Sequence, residues 1–186
     1  AVVRNDGRRR LDTAVWGFPG PRRARTAAAP LINARAETLA ERSTFHAAYR
    51  ARRCLILADG FYEWRDEGGR RKQPYYVRLR GGRPFPFAGL WTPRPDGPPA
   101  CVIVTTAPNE LVRPLHGRMP AILDRADAAR WINPAPREPG NLDRLLRPFP
   151  ADTMEAWPVG PFVNRPGYDG PECIQPVRRT GRLPGL

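Results

Sequence analysis

Lysine is almost missing from this sequence: of 31 basic side chains in 186 residues, 30 are arginine and only Lys72 is lysine. Acidic residues are scarce as well, 18 in all, which leaves a formal net charge of +13. Histidine occurs only as His46 and His116, and cysteine only as Cys54, Cys101 and Cys173. The cysteines are odd in number, far apart and match no zinc-ligand spacing, so neither a disulfide framework nor a metal site is expected. Cys54 and Cys101 lie inside apolar runs and read as small buried hydrophobes. No apolar run approaches the length that spans a bilayer, and no charged-then-apolar start marks a secretory signal. No membrane role is expected, and a cytoplasmic location is. There is no internal repeat and no His-Glu-x-x-His segment of a metalloprotease.

What is present suits a folded chain. Hydrophobic residues make up 41% and aromatics 9%, enough for a real core, and the length suggests a single domain over residues 1–186. The charge is uneven. Residues 1–100 hold 20 basic and 9 acidic side chains, whereas residues 101–186 hold 11 and 9. A basic half points to a polyanion, with nucleic acid the leading partner. Codon bias in a GC-rich genome would explain arginine over lysine, but not basic over acidic.

Ala1–Arg4 and Arg10–Trp16 read as two strands joined by a turn at Asn5-Asp6-Gly7. Pro21 to Pro30 reads as a loop rich in arginine and alanine. From Ala36 to Arg50 the spacing of Leu39, Phe45, Ala48 and Tyr49 predicts an amphipathic helix, with His46 structural or exposed. Strands are predicted at Cys54–Ala58, Phe61–Trp64, Pro74–Leu79, Pro86–Trp91 and Ala100–Thr106, with one more at Ala121–Leu123. Asp124 would cap a helix over Ala126–Ile132, and Asn141 one over Leu142–Leu146. The tail from Gly160 reads as irregular. The pattern predicts an α+β fold: a mainly antiparallel sheet or open barrel with a few flanking helices.

Three segments carry candidate chemistry. In Leu31-Ile32-Asn33-Ala34-Arg35-Ala36-Glu37-Thr38, Asn33 reads either as a helix cap, with Arg35 and Glu37 solvated, or as a site residue. In Ala58-Asp59-Gly60-Phe61-Tyr62-Glu63-Trp64, Glu63 lies between two aromatics on a strand. A carboxylate there is desolvated, which raises its pKa and suits it to acid/base work. Trp64 offers a face for base stacking. The alternative pairs Glu63 with an arginine and puts Trp64 in the core. In Thr105-Thr106-Ala107-Pro108-Asn109-Glu110 and Leu115-His116-Gly117-Arg118-Met119-Pro120, His116 either relays a proton or is simply a solvated loop residue.

Taken together, these segments, with Val15-Trp16-Gly17-Phe18-Pro19 before them and Pro158-Val159 and Val163-Asn164 after, resemble the SOS-response-associated peptidase family over nearly all of the chain. The resemblance implies a protein that binds single-stranded DNA and reacts with abasic sites. An amino-terminal cysteine would form a Schiff base with the opened sugar, then a thiazolidine, and would also serve autoproteolytic loss of the first methionine. Asn33 would orient the cysteine and sugar, Glu63 would be the acid/base, and His116 would assist ring opening. Arg35 would grip the DNA backbone, Trp64 and Thr105 would line the DNA path, and Arg118 would add to the basic surface. The resemblance implies no cofactor, and a monomer is expected. Two departures stand out. The family's Met-Cys-Gly-Arg start is absent, so the chain reads as a member truncated at its amino terminus. Gly20-Pro21-Arg22-Arg23 stands where the family carries a further tryptophan. Without the cysteine, the alternative is a noncovalent single-strand-binding module.

Overall fold

The computed structural model describes residues 1–5, 7–20, 29–135 and 142–177. The described strands are β1 (Val2–Asn5), β2 (Arg9–Asp12), β3 (Val15–Trp16), β4 (Asn33–Arg35), β5 (Arg53–Ala58), β6 (Phe61–Arg65), β7 (Gln73–Leu79), β8 (Phe85–Thr92), β9 (Ala100–Thr106), β10 (Met119–Pro120) and β11 (Met154–Pro158). Two α-helices accompany them, α1 (Ser43–Ala51) and α2 (Arg125–Trp131). The larger sheet runs β10-β9-β8-β5-β1-β2, and the smaller runs β11-β7-β6. Pairing is antiparallel except where β3 and β4 join β9 in parallel. Cys101 pairs with both Trp91 and Trp16, and Ile103 with both Gly89 and Asn33. Each residue of a strand has two sides, so β3 and β4 lie end to end along the edge of β9 that β8 leaves open. The open, mainly antiparallel α+β architecture is the one the strand pattern predicts.

Alternation along the strands sends side chains to two different cores. Leu55, Ala88, Leu90, Val102 and Val104 face the helices and pack with Phe45, Ala48, Tyr49 and Trp131. Phe85, Phe87 and the partly buried Ile56 and Ile103 face the smaller sheet and pack with Tyr75, Val77, Met119 and Met154. Trp131 is completely buried, and its indole donates to the carbonyls of Cys54 (3.0 Å) and Gly89 (3.2 Å). Arg53 is buried too, at 3% exposure. Its guanidinium donates to five carbonyls, of Tyr49, Arg50, Trp131, Asn133 and Ala135. It thereby satisfies the carbonyl-rich carboxyl ends of both helices at once.

Several local expectations change. The predicted strand Arg10–Trp16 divides, because β2 pairs with β1 while β3 turns away to β9. Asn33 is not a helix cap: it begins β4, and only a 3-10 turn at Ala36–Thr38 follows before α1 starts at Ser43. β9 offers an unpaired edge that captures residues 33–35, so Asn33 joins the sheet instead of capping a helix. The apolar spacing still marks the buried side, since Leu39, Phe45, Ala48 and Tyr49 are all buried. The strand predicted at Ala121–Leu123 forms two residues earlier, as β10, with one bridge at Ile122. Asp124 caps α2 as predicted, its side chain accepting from the amide of Asp127 at 2.8 Å. The segment after Asn141 contains only a 3-10 turn, Asp143–Leu145. Asn141 itself, and Arg22 and Arg23 of the arginine-rich loop, lie outside the described residues. Among its described residues, the tail from Gly160 is irregular apart from 3-10 turns at Pro161–Asn164 and Pro171–Cys173 and one bridge of Pro176 to Val159. Cys54, Cys101 and Cys173 are free and buried. Among the described residues, no helix is long and apolar enough to cross a membrane.

Gly60 is a close-approach position. A Cβ there would sit 2.3 Å from Cζ of Tyr76, a ring that is only 4% exposed. Gly60→Ala is expected to lower unfolding free energy by about 1–3 kcal/mol, through overpacking at the entry to β6. Chemical denaturation against the parent protein measures it.

A cleft between the two sheets

The smaller sheet does not cover the larger one completely. Where β6 passes β4, β9 and β10, a cleft of about 1050 Å³ remains. Asn33, Arg35, Glu63, Trp64, Thr105, His116 and Arg118 all line it. Every site residue singled out in the sequence thus reaches one cavity, from three strands and a loop.

Glu63 reaches the floor because of its register. On β6, Phe61 and Glu63 pair with Val77 and Tyr75, whose side chains belong to the core facing the larger sheet. Tyr62 pairs with Tyr76 on the other face. The Glu63 side chain is 17% exposed and lies 3.4 Å from Nδ1 of His116. Burial pushes its carboxyl above the ordinary range, while His116 and the Trp64 amide pull the other way. The alternative pairing of Glu63 with an arginine is not found among the described residues; its ionic neighbour is His116.

His116 follows a turn and is half exposed. Its Nδ1 also lies 3.3 Å from the Arg118 amide nitrogen and 3.2 Å from the Arg118 carbonyl. Arg118 is more engaged than a free surface arginine. It grips Glu37 with both Nη atoms, at 2.8 and 2.9 Å, and donates to the Thr105 carbonyl at 2.6 Å. Glu37, which reads as solvated in the sequence, is therefore paired, and that hydrogen bonding holds its carboxyl below the usual value. Thr105 is buried, and its hydroxyl is 3.4 Å from the Ala34 carbonyl. Trp64 is half-buried, its indole donating to Oδ1 of Asn164 at 2.8 Å. Asn33 and Arg35 are exposed at the rim.

Some lining residues escaped the sequence reading. Trp16, 54% exposed, forms part of the rim and donates from its indole to the Ile32 carbonyl at 2.8 Å. Arg42 also lines the cleft. Gly17 was the available signal for Trp16. It has φ +132°, and a Cβ there would lie 2.8 Å from Pro30, so the chain turns sharply just after the tryptophan. Among the described residues, no group of three or more His, Cys, Asp or Glu could hold a metal ion.

The profile of the SOS response associated peptidase (SRAP) family matches residues 1–166. The chain belongs to that family. This SRAP chain is 41% identical over 180 residues to the abasic site processing protein YoqW of Bacillus subtilis, covering 94% of this chain and 80% of that one. It is 34% identical over 170 residues to the abasic site processing protein HMCES of Gallus gallus, covering 78% of this chain and half of the other. A crystal structure of a Bacteroides thetaiotaomicron protein superposes with a TM-score of 0.77 at 26% identity, over 95% of the SRAP chain and 80% of that protein. The family resemblance drawn from the motifs is thus upheld.

Proposed function

We propose that the cleft receives an abasic site in single-stranded DNA, and that Glu63 and His116 handle the protons of its covalent capture. The observation that carries this reading is the 3.4 Å approach of a desolvated carboxylate and a half-exposed imidazole that together line an open cleft with Arg35, Arg42 and Arg118. The relatives named abasic site processing proteins add to it.

The chemistry asks for such a pair. An α-amine adds to the aldehyde of the opened sugar to give a carbinolamine, which must lose water to become an imine. A protonated Glu63 delivers the proton that leaves with that hydroxyl. The resulting carboxylate then accepts the proton lost by the amine. A thiol next adds across the imine, its sulfur bonding to carbon and its proton passing to nitrogen, which closes the thiazolidine. Asn33 supplies an amide at the rim to orient the sugar. Arg35 supplies a forked charge for phosphate, and the exposed face of Trp16 a platform for a neighbouring base.

The covalent step needs an amino-terminal cysteine. The three cysteines here are internal and buried, so none offers an α-amine and a thiol together, and burial pushes the Cys54 and Cys101 thiols up. Ala1 holds the Leu57 amide through its carbonyl at 3.0 Å, two residues before the Asp59-Gly60 turn into β6. Residues joined ahead of Ala1 would therefore emerge at the sheet end that leads to Glu63.

The decisive test incubates a form carrying that cysteine with abasic single-stranded DNA and looks for a heat-stable adduct. Absence of the adduct, or its survival after Cys→Ala at the start, counts against the reading. The same reading predicts that the cleft also holds an intact single strand. Arg35→Ala is expected to weaken binding of intact strands and to reduce the slope of log affinity against log salt by about 0.7, the loss of one phosphate contact. A fluorescence anisotropy titration at several salt concentrations reads both. Glu63→Gln should leave that affinity unchanged.

A further inference from the structure

Gly117, between His116 and Arg118, has nothing within 4 Å of where a Cβ would stand, so no neighbour packs against the loop at that position. What flanks it is fixed. The His116 amide donates to the Val112 carbonyl at 2.9 Å, and Met119 and Pro120 pair with β9. Between these anchors, two polar contacts restrain the loop: the approach of His116 to Glu63, and the Arg118 side chain, which spans to Glu37 and to the Thr105 carbonyl. The His116 ring in turn lies against the Arg118 backbone.

We propose that Glu37 is a positioning residue: by clasping Arg118 from the 3-10 turn after β4, it fixes the loop that sets His116 opposite Glu63. This rests on the reading of Glu63 and His116 as the proton-handling pair. Glu37 need not touch the DNA. A planar guanidinium bound by both carboxylate oxygens and a main-chain carbonyl has one orientation, and the backbone of Arg118 inherits it. The clasp is half exposed, with Glu37 53% and Arg118 25% open, and such pairs add little to stability. Its consequence is geometric, and small displacements of a proton-transfer group are costly to rate. The clasp also ties the β4 segment to the His116 loop, and these bear on the cleft from either side of β9.

The test uses Glu37→Ala, Arg118→Ala and their double variant, in the form with the amino-terminal cysteine. Glu37→Ala should melt near the parent temperature and slow adduct formation at saturating abasic strand by about tenfold. Affinity for an intact strand should hold or rise, because Arg118 loses its counter-charge. Adding Glu37→Ala to Arg118→Ala should cost nothing further, since both break one clasp. Glu37→Asp should recover part of the rate. A second readout needs no DNA: the Glu63 carboxyl, followed by carbon-13 NMR, should titrate higher in Glu37→Ala, because His116 holds it down in the parent. The other charged groups sharing the cleft are Arg35, Arg42 and Arg118. The variants leave Arg35 and Arg42 in place, and comparing Glu37→Ala with Arg118→Ala separates the effect of the third. An unchanged rate with an unmoved Glu63 titration would overturn the proposal. So would a defect confined to affinity. If the parent protein forms no adduct, the functional reading fails, and the Glu63 titration alone decides the clasp.

Discussion

Glu63→Gln, in a form that begins with cysteine, is expected to slow adduct formation on abasic single-stranded DNA by about a hundredfold or more, the usual loss when a positioned acid/base is removed. The glutamine keeps the shape and the hydrogen-bonding reach of the side chain but cannot give up a proton. The same change should not cost stability. In the folded chain, burial raises the carboxyl above its ordinary value, so folding favours the protonated acid. The stability tied to Glu63 is thus full below the ordinary carboxylate range and is lost as pH rises through the raised value. Above that window the glutamine variant should melt at or above the parent temperature, and its melting should lose that part of the pH dependence. Adduct rate should follow the same group: in the parent it should decline as pH rises through the raised value, a limb the variant should lack. Quenched time courses and thermal melts across pH measure the two. A variant that is both unstable and slow would mean that Glu63 serves the fold rather than the reaction.

Arg53→Ala carries the largest expected loss of stability. Removing the guanidinium leaves the carbonyls of Tyr49, Arg50, Trp131, Asn133 and Ala135 without their shared donor, at a position only 3% exposed. The expected cost is about 3–5 kcal/mol in urea denaturation, on the scale of breaking a buried charged contact. Arg53→Met, which keeps much of the volume, should recover little, because the deficit lies in unsatisfied carbonyls and not in a void. A loss below about 1 kcal/mol would contradict the assignment. This residue also qualifies the charge argument: at least one of the 31 basic side chains belongs to the interior and not to a polyanion surface.

The strands from Cys54 to Thr106 were legible as short runs rich in apolar and aromatic residues between turn signals; desolvation of Glu63 was expected from its two aromatic neighbours, whereas the fold buries it by turning its face of β6 toward the larger sheet. The helix start was not. The period of Leu39, Phe45, Ala48 and Tyr49 gives the buried side correctly, but no local signal tells that β9 has a free edge to recruit Asn33–Arg35. That same non-local pairing puts Asn33 and Arg35 at the cleft. The pairing of Glu37, which the helix-cap alternative left solvated, with Arg118, read as part of the basic surface, was hidden for the same reason: it crosses 81 positions. Trp16 was invisible as a lining residue because exposed aromatics and core aromatics look identical in a sequence; only the turn at Gly17 hints at the difference. Motifs thus named most of the side chains proposed for the cleft, while the contacts that hold them in place came from the fold.

The most direct measurement is a crystal structure of this chain with a short single strand carrying a tetrahydrofuran abasic-site analogue. The account predicts the analogue seated between Glu63 and His116, within about 2.6–3.2 Å of one of them or one water away, with Arg35 on an adjoining phosphate. A strand bound along the outer arginines of β2, with the cleft left unvisited, would contradict it.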